Sequence, residues 1–286
     1  MTLADTGNIK RTHATVTVQD GVRLRYRESG SEDGQPILFL HGYTDSSLSF
    51  RRLLPHVPAG YRILVPDQRG HGDSDKPAEG YRRSDFAADA VALLDALGIG
   101  RVTIVGHSLG SLTAQRIAAD DPHRVSGLVL IGSAPGAATN AGLLDLKTAI
   151  LALEEAPDRA FIHEFQTSTV ATPLPEDFLE AVVDESAKVP LGVWREALAD
   201  LVDARSDVAL DAIHTPTLVI WGEQDAVFSR ADQSALVDGI AGASLRTYDA
   251  TGHAPHWERP EVTGRDLGDF LRDRVGAGAE AVAGHR

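Results

Sequence analysis

The stretch Val102-Thr-Ile-Val-Gly-His-Ser-Leu-Gly-Ser-Leu-Thr-Ala-Gln-Arg-Ile-Ala118 decides the fold. A β-branched apolar run stops at Gly106, a serine follows at Ser108, Gly110 comes two residues later, and helical spacing begins with Leu112, Ile117 and Ala118. The pattern reads strand, sharp turn, helix. Gly106 and Gly110 let strand and helix approach closely around a strained turn, which holds the Ser108 hydroxyl out at the carboxyl end of a sheet. Three fixed residues of common type also occur by chance, so the flanking strand and helix are what give the match meaning.

Upstream, residues 15–18 and 22–28 alternate around Gln19-Asp-Gly21, a turn signal that predicts an opening antiparallel hairpin. Pro36-Ile-Leu-Phe-Leu40 and Tyr61-Arg-Ile-Leu-Val-Pro-Asp67 are short continuous apolar runs, as strands buried on both faces require. Helices are predicted over 46–54 and 83–97, with a glycine-rich polar loop over 68–77. Downstream, 125–131 is another buried strand. The alternation predicts an α/β fold, a mostly parallel sheet with helices on both faces and an antiparallel N-terminal hairpin.

Between 133 and 214 that rhythm breaks into short amphipathic helices around 143–153, 177–183 and 193–202, expected to form an inserted helical cap. Strands at 217–222 and 244–248 and a helix over 259–275 complete the core. The expected organisation is therefore a core of 1–132 and 215–275, a cap of 133–214, and a flexible tail of 276–286 rich in small residues.

The 286 residues are 43% hydrophobic and 24% charged, enough for a sizeable core. With no cysteine, neither disulfide nor thiol chemistry is available. A net charge of -14 without a basic block opposes nucleic acid or an anionic membrane as a partner. No run approaches the length of a membrane span, and the first residues lack the apolar segment of a secretory signal, so a cytoplasmic location is the expectation.

A serine hydroxyl is a poor nucleophile at neutral pH and calls for a histidine base with a carboxylate behind it, both later in the chain. The strand ending at Gly222 runs into Glu223-Gln-Asp225, and the strand ending at Tyr248 runs into Asp249-Ala-Thr-Gly-His253. Three strand ends thus aim candidates at one sheet edge. Glu223 and Asp249 compete for the acid role. His256, three residues past His253, has a metal-ligand spacing, but no acidic or histidine cluster completes a site, so no metal is expected and a packing or rim role is assigned. Glu258 is expected to bond backbone or pair with a cation.

In these features the chain resembles the α/β-hydrolase superfamily from about residue 15 to 275. The matching blocks are His41-Gly42, Asp67-Gln-Arg-Gly-His-Gly-Asp-Ser74, Gly106-His-Ser-Leu-Gly110, Trp221-Gly-Glu-Gln-Asp225 and Gly252-His-Ala-Pro-His-Trp-Glu-Arg-Pro260. The resemblance implies Ser108 as nucleophile, His253 as general base and acid, and Asp225 as the group orienting it. It also implies an oxyanion hole from the backbone N–H groups of Tyr43 and Leu109, and packing roles for His71 and His107.

Relatives with an aspartate nucleophile, the haloalkane dehalogenases and epoxide hydrolases, are disfavoured by Ser108. The expectation is hydrolysis of a small, largely apolar carboxylic ester or lactone through an acyl-enzyme, with no cofactor and a small-molecule substrate as the partner. Trp194, Phe165 and Phe228 are the candidate substrate contacts, with Phe161 and Phe178 beside them. Cofactor-free haloperoxidase or perhydrolase chemistry, C–C bond hydrolysis and a small-molecule receptor remain alternatives.

Overall fold

Eight strands form one sheet in this computed structural model, which describes residues 12–276. They are β1 (Thr12–Thr17), β2 (Arg23–Gly30), β3 (Gln35–Leu40), β4 (Tyr61–Pro66), β5 (Val102–His107), β6 (Val125–Ile131), β7 (Thr217–Gly222) and β8 (Ser244–Tyr248), in the spatial order β1-β2-β4-β3-β5-β6-β7-β8. β1 pairs antiparallel with β2, and β2 with β4; every other pairing is parallel. The opening hairpin turns at Asp20 and Gly21, both with positive φ.

The helices are α1 (Arg83–Ala96), α2 (Leu109–Asp120), α3 (Ala141–Ala152), α4 (Arg159–Ser168), α5 (Glu176–Ala187), α6 (Leu191–Leu201), α7 (Arg230–Gly239), the short α8 (Pro255–Glu258) and α9 (Pro260–Phe270). Alternate side chains of each central strand enter opposite layers. Leu38, Leu40, Ile104 and Leu128 pack with Leu93 of α1, Ile117 of α2 and Leu236 of α7. Ile37, Phe39, Val105 and Val129 pack with Phe50, Leu53 and, from α9, Leu267 and Phe270. Both faces are covered, which is why these strands read as unbroken apolar runs.

Helices α3 to α6 lie between β6 and β7 and contribute to a third apolar cluster, in which Ile150, Ile162, Val183 and Trp194 meet Tyr43, Leu109 and Leu112. Buried Arg83 of α1 ties this segment to the sheet domain through Asp200, at 3.0 Å, and Asp207, at 3.1 Å.

The sequence expectations depart from the structure in three places. Residues 46–54 form two 3-10 turns, Ser47–Phe50 and Leu54–His56, rather than a helix. Local side chains compete for the backbone there: Ser46 Oγ accepts from Leu48 N–H, Asp67 Oδ1 accepts from Ser47 N–H at 2.7 Å, and Pro55 occupies the second turn. The helix expected over 259–275 is α9 continued by a π-helical turn, Leu271–Gly276, and an unexpected short helix, α8, precedes it, separated at Arg259–Pro260. Helix α4 was not anticipated, although Asp158 caps it by accepting from Phe161 N–H and Phe161, Ile162, Phe165 and Gln166 have helical spacing.

The leader expectation concerns residues outside the described ones, as does that for the tail beyond Gly276. Among the described residues no helix is long and apolar enough to cross a membrane.

Candidate active site

Ser108 sits between β5 and α2 with φ 49° and ψ −118°, a conformation an L-residue adopts only under constraint. The two glycines explain how the chain gets there. A Cβ on Gly106 would stand 2.4 Å from the carbonyl oxygen of Gly110, and one on Gly110 would stand 2.1 Å from that of Leu40. Ser108 N–H donates to Ile131 O at 3.0 Å, which pins the turn to the end of β6. Its side chain does not cap α2, so the hydroxyl is free of its own helix.

Asp225 and His253 are brought together by the loops after β7 and β8. The Asp225 carboxylate accepts from His253 Nδ1–H at 2.9 Å through Oδ2 and 3.1 Å through Oδ1. Oδ1 also accepts from the N–H groups of Val227, at 2.7 Å, and Phe228, at 3.0 Å. Burial pushes the Asp225 carboxyl up, but the charge of His253, their hydrogen bond and the two amides outweigh it and hold the group below its usual value. In the neutral tautomer that base catalysis needs, Nδ1 carries the proton that Asp225 accepts and the lone pair lies on Nε2.

The two competing acids stand apart from this pair. Glu223 is exposed and lies 3.7 Å from Arg230, and Asp249 is exposed in the turn after β8.

Among the described residues, the N–H groups of Tyr43 and Leu109 donate to no protein acceptor. Leu109 opens α2, where the first amides have no partner within the helix. Thr44, after Tyr43, has φ 63°, so strained backbone flanks both candidate donors. Their loop is fixed from below by His41: its Nε2 accepts from Gln68 N–H at 2.9 Å and its Nδ1–H donates to Gly42 O at 2.9 Å, so the ring is neutral. Burial lowers its pKa accordingly.

The aromatic candidates divide into two groups. Trp194 is fully buried with its ring 5.2 Å from Tyr43 and 5.6 Å from Phe165, while Tyr43 O–H donates to Trp194 O at 2.6 Å. Phe228 lies edge-on to the His253 ring at 5.5 Å. Phe178 goes elsewhere, packing on Trp257 at 5.7 Å beneath Arg51 and Arg52.

A second layer of histidines lies behind His253. His107 Nε2–H donates to His253 O at 3.2 Å, and its ring is 4.4 Å from that of His256, whose Nε2 meets Ser49 Oγ at 3.1 Å. Asp45, which accepts from Ser49 Oγ and Gln166 Nε2, is 3.7 Å from His107 Nδ1, too far for a hydrogen bond. Burial lowers the pKa of both His107 and His256. His71, buried beside His41, is depressed to about 3 by burial above all. Asp45, Gln166 and Ser49 escaped the sequence reading, since nothing in their local spacing indicates a partner far along the chain.

The model of the α/β hydrolase fold matches residues 35–260. A non-heme chloroperoxidase of Streptomyces lividans is 29% identical over 90% of this chain and 99% of its own length. A 2-hydroxy-6-oxononadienedioate/2-hydroxy-6-oxononatrienedioate hydrolase of Pseudomonas putida is 31% identical over 88% of this chain and 92% of its own. Among solved structures, an esterase from Exiguobacterium antarcticum superposes with a TM-score of 0.80 at 24% identity, covering 92% of this chain and 100% of that one; at that identity the likeness is one of fold.

Proposed function

This chain belongs to the α/β-hydrolase fold family, and we propose that within it the protein is a serine hydrolase in which Ser108, His253 and Asp225 act as nucleophile, base and orienting acid. The observations that carry this reading are the Asp225–His253 pair and a serine held at positive φ next in the chain to His107, whose ring lies 5.1 Å from that of His253. In the proposed cycle His253 Nε2 takes the Ser108 proton as Oγ attacks a carbonyl carbon. The N–H groups of Tyr43 and Leu109 then receive the oxyanion. Collapse expels the alcohol, protonated from Nε2–H, and leaves an acyl-serine. Water, deprotonated by the same nitrogen, adds to the acyl carbon; the second tetrahedral intermediate then collapses with cleavage of the bond to Ser108 Oγ, which takes the proton back from Nε2–H as the carboxylic acid leaves. Asp225 stays ionised and supports the transient imidazolium.

The substrate in this reading is a small, largely apolar ester or lactone. Tyr43, Leu109, Trp194 and Phe228 share one apolar cluster with α3 to α6, with Phe165 packed against it, so a neutral hydrocarbon group beside the reacting carbonyl is favoured. Residues 133–214 would act as the cap that shapes this space. The names of the relatives support two competing chemistries, peroxide-dependent halogenation and C–C bond hydrolysis.

A panel of aryl esters of increasing acyl length, lactones, a vinylogous diketone and a peroxide-plus-halide assay separates them. The proposal expects ester or lactone turnover without peroxide and a preference among acyl lengths. Turnover confined to the diketone, or strictly dependent on peroxide, would contradict it.

A further inference from the structure

Glu258, at the end of α8, receives four donors on one carboxylate. Oε1 accepts from Gly252 N–H at 2.8 Å, while Oε2 accepts from Ala171 N–H at 2.9 Å, Thr172 N–H at 2.9 Å and Thr172 Oγ–H at 3.0 Å. The first donor precedes His253 in the chain, and the other three belong to the link between α4 and α5. That link also touches the histidine directly, because His253 N–H donates to Thr169 O at 2.7 Å. The approach is so close that a Cβ on Gly252 would lie 2.7 Å from both Ala171 N and Thr169 O.

From this arrangement we infer that Glu258 is a positioning residue, a latch that makes the 169–172 link and the backbone of His253 move as one body. The N–H groups of both Gly252 and His253 are anchored, the first to Glu258 and the second to Thr169. In the serine hydrolase reading, the orientation of the imidazole therefore depends on a segment inserted between β6 and β7 and lying about 80 residues earlier in the chain. A carboxylate suits the task because it accepts in several directions and donates in none, so four converging donors are all satisfied. A glutamine would satisfy the three donors at the Oε2 position only by turning its own N–H group toward Gly252 N–H, which frees the histidine side of the latch.

The inference rests on the serine hydrolase reading, and its test separates the two. In wild-type protein and the Glu258→Gln and Thr172→Val variants, three quantities are measured: Ser108 labelling by a fluorophosphonate, kcat and KM for 4-nitrophenyl acetate, and amide hydrogen exchange. Glu258→Gln is expected to lower labelling and turnover about 10- to 100-fold with KM within about twofold, as a displaced catalytic group would. Thr172→Val, which touches neither Gly252 nor His253, is expected to speed exchange in the peptide containing 252–253 as well as in that containing 169–172. It remains decisive if Glu258→Gln does not fold. Wild-type turnover in folded Glu258→Gln, or exchange that rises only in 169–172, overturns the latch. Failure of the wild-type protein itself to label overturns the serine reading and leaves the exchange measurement to judge the coupling.

Discussion

Oδ1 of Asp225 is fixed by the amides of Val227 and Phe228, while Oδ2 faces Nδ1 of His253 at 2.9 Å. The carboxylate is fully buried and cannot rotate without leaving two N–H donors unpaired. Oδ1 therefore serves both the two amides and, at 3.1 Å, the histidine, while Oδ2 serves the histidine alone.

Asp225→Asn tests that division. The two amides would hold the asparagine oxygen at the Oδ1 position and place its NH2 against His253 Nδ1, forcing the imidazole proton onto Nε2. Base catalysis needs the opposite tautomer, so turnover should fall by about 10⁴-fold with the fold intact, the size of loss this exchange causes in such triads. Circular dichroism and ester kinetics check both halves.

Tyr43→Phe separates backbone from side chain. The variant keeps the N–H assigned to the oxyanion and loses only the O–H bond to Trp194 O. The expected outcome is a turnover rate within about threefold of wild type and a stability loss of about 1 kcal/mol, seen in urea unfolding. A loss of turnover as large as that from removing an oxyanion donor, about 100-fold or more, would give the phenol a role in the chemistry.

Gly110→Ala should abolish the turn itself. Its Cβ would collide with the carbonyl oxygens of Leu40 and His41, at 2.1 and 2.5 Å, and rigid backbone cannot yield as a side chain can. We expect a loss of at least about 3 kcal/mol or no folded protein, read from the urea midpoint.

The strands and the residues at their ends were legible because burial on both faces writes itself as continuous β-branched runs, and because the Ser108 turn needs glycine at two fixed places. The 46–54 segment misled because its apolar spacing is helical while Ser46 and the distant Asp67 divert its backbone hydrogen bonds. The surroundings of His253 were hidden for a related reason. The sequence leads one to expect Glu258 to bond backbone or pair with a cation; it bonds backbone, but its partners at 171 and 172 lie 87 and 86 residues away, a separation no local pattern encodes.

Acid should destabilise the protein earlier than carboxylate titration alone would. His41, His71, His107 and His256 are buried and have lowered pKa values, that of His71 about 3 against an ordinary 6.5. Such groups refuse protons in the fold that the unfolded chain accepts. Stability is therefore complete above about pH 6.5 and falls as pH drops below it, by about 1.4 kcal/mol at pH 5.5 from His71, whose folded value lies far below, with the other three adding losses of the same sign. Urea midpoints at pH 7.5 and 5.5 should differ clearly; equal midpoints would mean these rings take up protons without unfolding.

The most direct measurement of the central claim is intact-mass spectrometry with peptide mapping after exposure to a fluorophosphonate. The account predicts one adduct per chain, on Ser108, absent in Ser108→Ala and formed at least about 100-fold more slowly in His253→Ala. An adduct on any other residue, or a Ser108→Ala variant that still turns over aryl esters at the wild-type rate, would contradict it.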